Sequence, residues 1–296
     1  MTSELTRKNY DIIASLCLMD NALMKLCFEG HNECVELIIR IILNRDDLIV
    51  LSSSIQDTLT GPEHEVILDI SATDKDGRKY NIEFQRADKG AVPERARYHG
   101  SMIDVRSLAK GDDDYTHLPE VYVIFITEND VLKGGLPLYT IDRVINETGK
   151  KFSDKSHIIY VNTSHKDRDT ALGKLIHDLL CVNPDDMNYK PLADRTKHFK
   201  QEPEGVREMS GLWEESINIE ADKRAKKLAP KLAREMAQEL AKERAKELVK
   251  QEAKQEKESF ALKMLKAGEV LSKIVEYSGL SMTAVKRLAK TLKASE

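Results

Sequence analysis

Two stretches of this chain could do chemistry together. Residues 65–72 read EVILDISA and residues 79–85 read KYNIEFQ. In the second, Tyr80, Ile82 and Phe84 alternate with Asn81, Glu83 and Gln85, the pattern of a strand with one apolar and one polar face. In the first, Asp69 stands between Leu68 and Ile70. The linking residues include Lys75-Asp76-Gly77, which fits a three-residue hairpin loop closed by a left-handed glycine. That loop sets Asp74 against Arg78. Counting back from it sets Asp69 against Glu83, with Gln85 two residues further on the same face. Facing carboxylates repel unless a cation lies between them. Hard carboxylate oxygens suit Mg²⁺ or Mn²⁺, and such a metal acidifies water and offsets charge on a phosphate. The plain alternative is a solvated hairpin, since strand carboxylates usually face water. An acid set inside so apolar a strand argues against it.

The neighbouring elements must hold that hairpin. Residues 8–28 carry apolar residues at mixed helical spacing. Residues 32–44 predict a helix with Asn32 as N-cap, Glu33 and Glu36 in the first turns, and Asn44 at its exit. LIVLSSSI (48–55) predicts a first strand. PERARYHGSMIDVRSLA (93–109) predicts a helix opened by Pro93. VYVIFIT (121–127) lacks alternation, which suits a central strand buried on both faces. HIIYVN (157–162) and ALGKLIHDLLC (171–181) complete an α/β order.

Beyond about residue 213 the chain turns to strong helix formers of mixed charge. Leu228, Leu232, Met236 and Leu240 recur every fourth residue, a winding stripe rather than a heptad seam. The last stretch reads as a small helical unit with a turn at Ser278-Gly279-Leu280 and Ser281 as N-cap, the plan of a helix-turn-helix. Its apolar positions are Val270, Ile274, Val275, Leu280, Val285 and Leu288. Lys286, Arg287 and Lys290 could touch phosphates there; a packing or dimer module is the competing reading.

The 296 residues allow one large domain or two ordinary ones, and the net charge of −4 neither favours nor excludes nucleic acid. Four scattered cysteines without zinc spacing suggest a reducing compartment, and no apolar run reaches membrane-spanning length. We expect a cytoplasmic protein that does not insert in a membrane. His99 could face the site from its helix, though a lone helical histidine reads more readily as a surface residue; HKDRD (165–169) reads as a solvated loop, and Gly134-Gly135 as a turn lacking the lysine and Ser/Thr of a phosphate loop.

The stretch ILDISATDKDGRKYNIEFQRADKGAVPERARYHGSMID resembles the PD-(D/E)XK nucleases, and more closely their branch of nuclease family transposases. LCLMDNALMKLCFEGHNECVELIIRIILNRDD, LPEVYVIFITENDVLKGGLPLYTIDRVI, SHIIYVN and IVEYSGLSMTAVKRLAK extend the likeness over nearly the whole chain. The resemblance implies a restriction-endonuclease-like α-β-β-β-α-β core with a mixed sheet (1–205), then a long charged helix (206–258) and a small helical unit (259–296). It implies DNA as substrate, hydrolysis of phosphodiesters with Mg²⁺ or Mn²⁺, and Asp69 and Glu83 as metal ligands. Gln85 then falls at the last position of the D/E-x-K element, where the superfamily usually has lysine. Glutamine hydrogen-bonds but carries no charge, which leaves Lys89 or Arg86 as the candidates to supply it. Glu36, or failing it Glu33, matches a glutamate of the first core helix that joins the site. Arg95 and Tyr98 fall where the family carries polar residues near DNA. The rival expectation is a degenerate nuclease fold that binds DNA or protein through its tail, and pairing of copies through that tail is a further possibility.

Overall fold

The computed structural model describes residues 11–61 and 64–293; for 212–240 and 293 it describes the backbone alone. Contacts divide the chain into two compact units, 1–217 and 218–296.

The first unit is built on one six-stranded mixed sheet. In chain order come α1 (Asn21–Phe28), α2 (Asn32–Leu43), β1 (Val50–Thr60), β2 (Glu65–Asp74), β3 (Lys79–Gln85), α3 (Pro93–Ser107) and β4 (Val121–Thr127). Then follow β5 (Leu138–Ile141), β6 (Ser156–Asn162), α4 (Ala171–Leu180), α5 (Lys190–Gln201) and α6 (Pro203–Lys266). The sheet order is β1-β2-β3-β4-β6-β5. β1, β2 and β3 form an antiparallel meander, β3, β4 and β6 are parallel, and β5 returns antiparallel to β6. The meander needs only short turns. The parallel step from β3 to β4 needs a crossover, and α3 provides it.

Each face of the sheet is covered by helix. On one, Ile38, Ile39, Ile70, Ile82, Ile124, Val161 and Leu175 join a core closed by α1, α2, α4 and α5; on the other, Val121, Val123, Phe125 and Tyr160 meet Ala96, Met102 and Ile103 of α3. β4 supplies both cores, Ile124 and Ile126 to the first, Val123 and Phe125 to the second. Hence it has no polar face to alternate with. Full burial of each of these side chains contributes roughly 1.5–3 kcal/mol.

The β2–β3 hairpin has the anticipated register: Ile70↔Ile82, Ser71↔Asn81, Ala72↔Tyr80 and Thr73↔Lys79. Gly77 has φ 79°, and Asp74 N–H donates to Arg78 O at 3.1 Å. The buried Asp74 carboxylate fixes the turn. It accepts from Arg78 N–H (2.8 Å), Asp76 N–H (3.0 Å), the Tyr80 hydroxyl (2.8 Å) and the Arg78 guanidinium (3.2 Å). Slippage by one residue would leave this acid buried without partners, so the register is strongly specified.

Several elements depart from the sequence reading. Asn32 does not cap α2; its amide bonds Leu51 O (3.2 Å) and the Ser53 hydroxyl (2.7 Å), tying the helix to β1. β1 continues to Thr60, because paired strands lengthen each other beyond what local pattern marks. β5 and α5 are elements the sequence reading did not mark, although α5 buries Leu192, Thr196 and Phe199 at helical spacing. The break before α6 has a local cause: Glu202, preceding Pro203, is forced extended (φ −90°, ψ 139°).

In the second unit the end of α6 packs with α7 (Leu271–Ser278) and α8 (Met282–Lys293) around buried Ala261, Ile274 and Val285. Val275, Leu280 and Leu288 pack against that core, as expected. Val270 does not; it precedes α7 and is exposed. The stripe Leu228–Leu240 lies outside the residues whose side chains are described.

Candidate active site

The site lies where β2 and β3 part. Their regular pairing ends at Ile70↔Ile82, and beyond it carboxylates replace backbone carbonyls as acceptors. Asp69 N–H donates to Glu83 Oε1 at 3.1 Å, and Phe84 N–H donates to Asp69 Oδ2 at 3.0 Å. Each acid thus bonds the backbone of the opposite strand. Neither amide is orphaned, and the two carboxylates are drawn into one place. Glu83 is fully buried and Asp69 half-buried.

Packing β3 under α3 creates the environment. Arg95, in the first turn of α3, donates through one terminal nitrogen to Glu83 Oε2 at 3.0 Å and through the other to Gly90 O at 2.9 Å. Its Nε donates to His99 Nε2 at 3.2 Å. Accepting there leaves the ring proton of His99 on Nδ1, which faces the Asn81 amide at 2.9 Å and Glu83 Oε1 at 3.5 Å. An asparagine amide can present either edge. With its carbonyl toward Nδ1, the otherwise unpartnered and buried Asn81 oxygen gains a donor. Of the two readings of His99 the surface one is corrected: it is 3% exposed and faces the site. At i+4 from Arg95 it shares that residue's helix face, and this face covers the sheet.

The opposite flank comes from β1. Gln56 Nε2 donates to Asp69 Oδ1 at 3.1 Å. Gln56 has φ 55°, a left-handed conformation that a non-glycine residue seldom adopts inside a strand. It falls between Ile55↔Ile70 and Asp57↔Leu68, which puts it across from Asp69. Sequence pattern missed it: Gly61-Pro62 marks a break between the strands but does not fix which residues of β1 and β2 face each other across it. Gln85 sits at the mouth of the site, with Nε2 3.5 Å from Glu83 Oε2, the outer limit of a hydrogen bond. A Cβ on Gly90 would stand 1.8 Å from Gln85 Oε1, so the glycine leaves room for this amide.

Two acids and one guanidinium leave the cluster short of positive charge. Burial, and next the charge of Glu83, push the Asp69 carboxyl up to about 6. Among the described residues no third Asp, Glu, His or Cys completes a metal-holding group. Two hard carboxylates with the Gln85 amide still fit Mg²⁺ or Mn²⁺, because Mg²⁺ keeps most of its waters and takes one or two protein carboxylates plus substrate phosphate.

Not every anticipated residue is here. Glu36 accepts from Val50 N–H at 2.8 Å and pairs with Arg40 at 2.8 Å. Val50 is six residues along β1 from Gln56, roughly 20 Å at strand rise, so the fold holds Glu36 away from the pair. Glu33 pairs with His31 at 3.1 Å. Arg86 is engaged by Asp20 and Glu128. Lys89 is exposed on the single turn after β3. Tyr98 is on α3 and 41% exposed. Lys286 and Arg287 are exposed on α8, in the other unit.

Residues 48–179 match the family model of the PD-(D/E)XK nuclease family transposases. The α/β fold of this segment is accordingly restriction-endonuclease-like, and the family supports a nuclease or transposase type of function. No curated protein and no solved structure matches the chain. No helix among the described residues is long and apolar enough to cross a membrane.

Proposed function

Because residues 48–179 match the model of the PD-(D/E)XK nuclease family transposases, we propose that the chain is a metal-dependent DNA endonuclease that hydrolyses phosphodiester bonds in the cytoplasm. The observation that carries this reading is the meeting of Asp69 and Glu83 across the opened β2–β3 ladder. Asp69 and Glu83 would hold Mg²⁺ or Mn²⁺. When bound, such a cation makes a nearby water more acidic and offsets charge building on the phosphate. Arg95 and Gln56 fix the orientation of the two carboxylates, one from each flank. Gln85, at the mouth, orients the attacking water or a phosphate oxygen through its amide. Tyr98, exposed on the same helix as Arg95, is available to the DNA backbone.

Gln85 also favours a second reading, a fold that binds DNA without cutting it, because glutamine brings no charge to the position that usually holds lysine. Nicking of supercoiled plasmid separates the two. The enzyme reading expects nicking with Mg²⁺ or Mn²⁺, none in EDTA, and loss of it in Asp69→Ala and Glu83→Ala. Wild-type protein that shifts DNA yet cuts it under no divalent ion would leave only the second reading.

A further inference from the structure

The second unit carries a cationic face that the carboxylate pair does not use. α7 and α8 are joined by Gly279-Leu280-Ser281, a three-residue turn. Gly279 has φ 64° and donates to Val275 O at 3.1 Å, closing α7 in the left-handed manner glycine permits. Ser281 Oγ accepts from Ala284 N–H at 3.3 Å and starts α8. Ile274, Val285 and Ala261 lock both helices to the end of α6, so the angle between α7 and α8 is set by a packed core.

Packing Val285 inward turns Thr283, Lys286, Arg287 and Lys290 outward, and all four are exposed. α8 holds four Lys or Arg and no acid, and from Phe260 to Lys293 there are seven Lys or Arg against two Glu, in a chain whose net charge is −4. Concentrating positive charge on one helix of an acidic protein is the electrostatic footprint of a polyanion partner. Glu258 approaches Arg287 only to 3.7 Å, with Arg287 70% exposed, which leaves that guanidinium able to engage a phosphate.

We infer that this unit is a duplex-DNA reading module in which α8 enters the major groove. The major groove of B-DNA admits an α-helix, whereas that of A-form RNA is too narrow. In a helix-turn-helix the N-terminal residues of the second helix meet base edges and its flanks meet phosphates. Met282 and Thr283 occupy the first positions and would read bases; a threonine methyl and a thioether both suit a thymine methyl. Lys286, Arg287 and Lys290 would neutralise phosphates. A lipid surface fits less well, since Met282 is the sole large apolar side chain that α8 exposes among the described residues.

Binding is measured on the full chain in EDTA, so cutting cannot enter the readout and the outcome is independent of the metal-site reading. The charge variant Lys286→Gln/Arg287→Gln/Lys290→Gln is expected to lose at least about 30-fold in affinity for a short duplex and to flatten the log–log salt dependence by about 3. Lys286→Arg/Lys290→Arg should bind as wild type does, and circular dichroism of each variant should match wild type. Selection from a random duplex pool should enrich a motif with wild-type protein and none with Met282→Ala/Thr283→Ala. Unchanged affinity and slope in the folded charge variant would overturn the inference. So would equal or tighter binding of single strands, or a pool from which wild-type protein enriches nothing.

Discussion

Asp69→Asn should make the protein more stable while abolishing its metal-dependent activity. The Asp69 carboxyl is raised from 3.8 to about 6, by burial and then by the charge of Glu83. At 1.36 kcal/mol per unit the ionised acid costs the folded state up to about 3 kcal/mol. Asp69 is only half-buried, and allowing for solvent screening brings our expectation to about 2 kcal/mol. The sign follows from proton binding. Between pH 4 and 6 the folded chain holds a proton that the unfolded chain has released, so this group's stability contribution is fully present below pH 4 and lost as pH rises through 6. Asparagine keeps an acceptor for Phe84 N–H, and the Gln56 amide can turn to accept from the new NH₂, so neither contact is left unsatisfied. Urea unfolding in EDTA should therefore show Asp69→Asn more stable than wild type above pH 6, the gap closing toward pH 4. Saturating Mn²⁺ should raise wild-type stability, by about 1.4 kcal/mol for each tenfold excess over Kd, and raise the variant far less. An Asp69→Asn protein less stable than wild type at pH 7.5, or a gap that does not depend on pH, would refute the reasoning.

Three further perturbations probe the same cluster. Gln56→Gly relaxes a left-handed residue and removes one bond to Asp69; melting should change by no more than a few degrees while the Mn²⁺ affinity read by calorimetry falls several-fold, and an unchanged affinity would remove Gln56 from the site. Gly90→Ala drives a methyl into the Gln85 amide, a flexible group that can swing away, so turnover in plasmid nicking should drop about tenfold with little loss of stability. Arg95→Met strips the fully buried Glu83 of its guanidinium; with Arg95 itself 35% exposed, we expect a loss of roughly 2–3 kcal/mol, measured by denaturation and partly restored by Mg²⁺.

How the sequence bears on the structure differs from residue to residue. The hairpin was legible because its determinants are local. A glycine that can take φ 79° closes a three-residue loop, and a period of two then fixes which side chains share a face as far as Glu83 and Asp69. β4 was legible too, as a run with no polar side must be covered twice. The tertiary structure alone decided who surrounds the acids. Whether an acid on α2 reaches them depends on how that helix lies on the sheet, and it lies so that Glu36 serves Val50 and Arg40. His99 was buried by the packing of α3 over β3, which helical periodicity does not orient. Gln56 reached Asp69 through a strand register that the Gly61-Pro62 turn signal does not specify and a backbone angle its residue type disfavours. Short-range geometry put two carboxylates opposite each other; long-range packing chose the arginine, histidine and glutamine that make them a site.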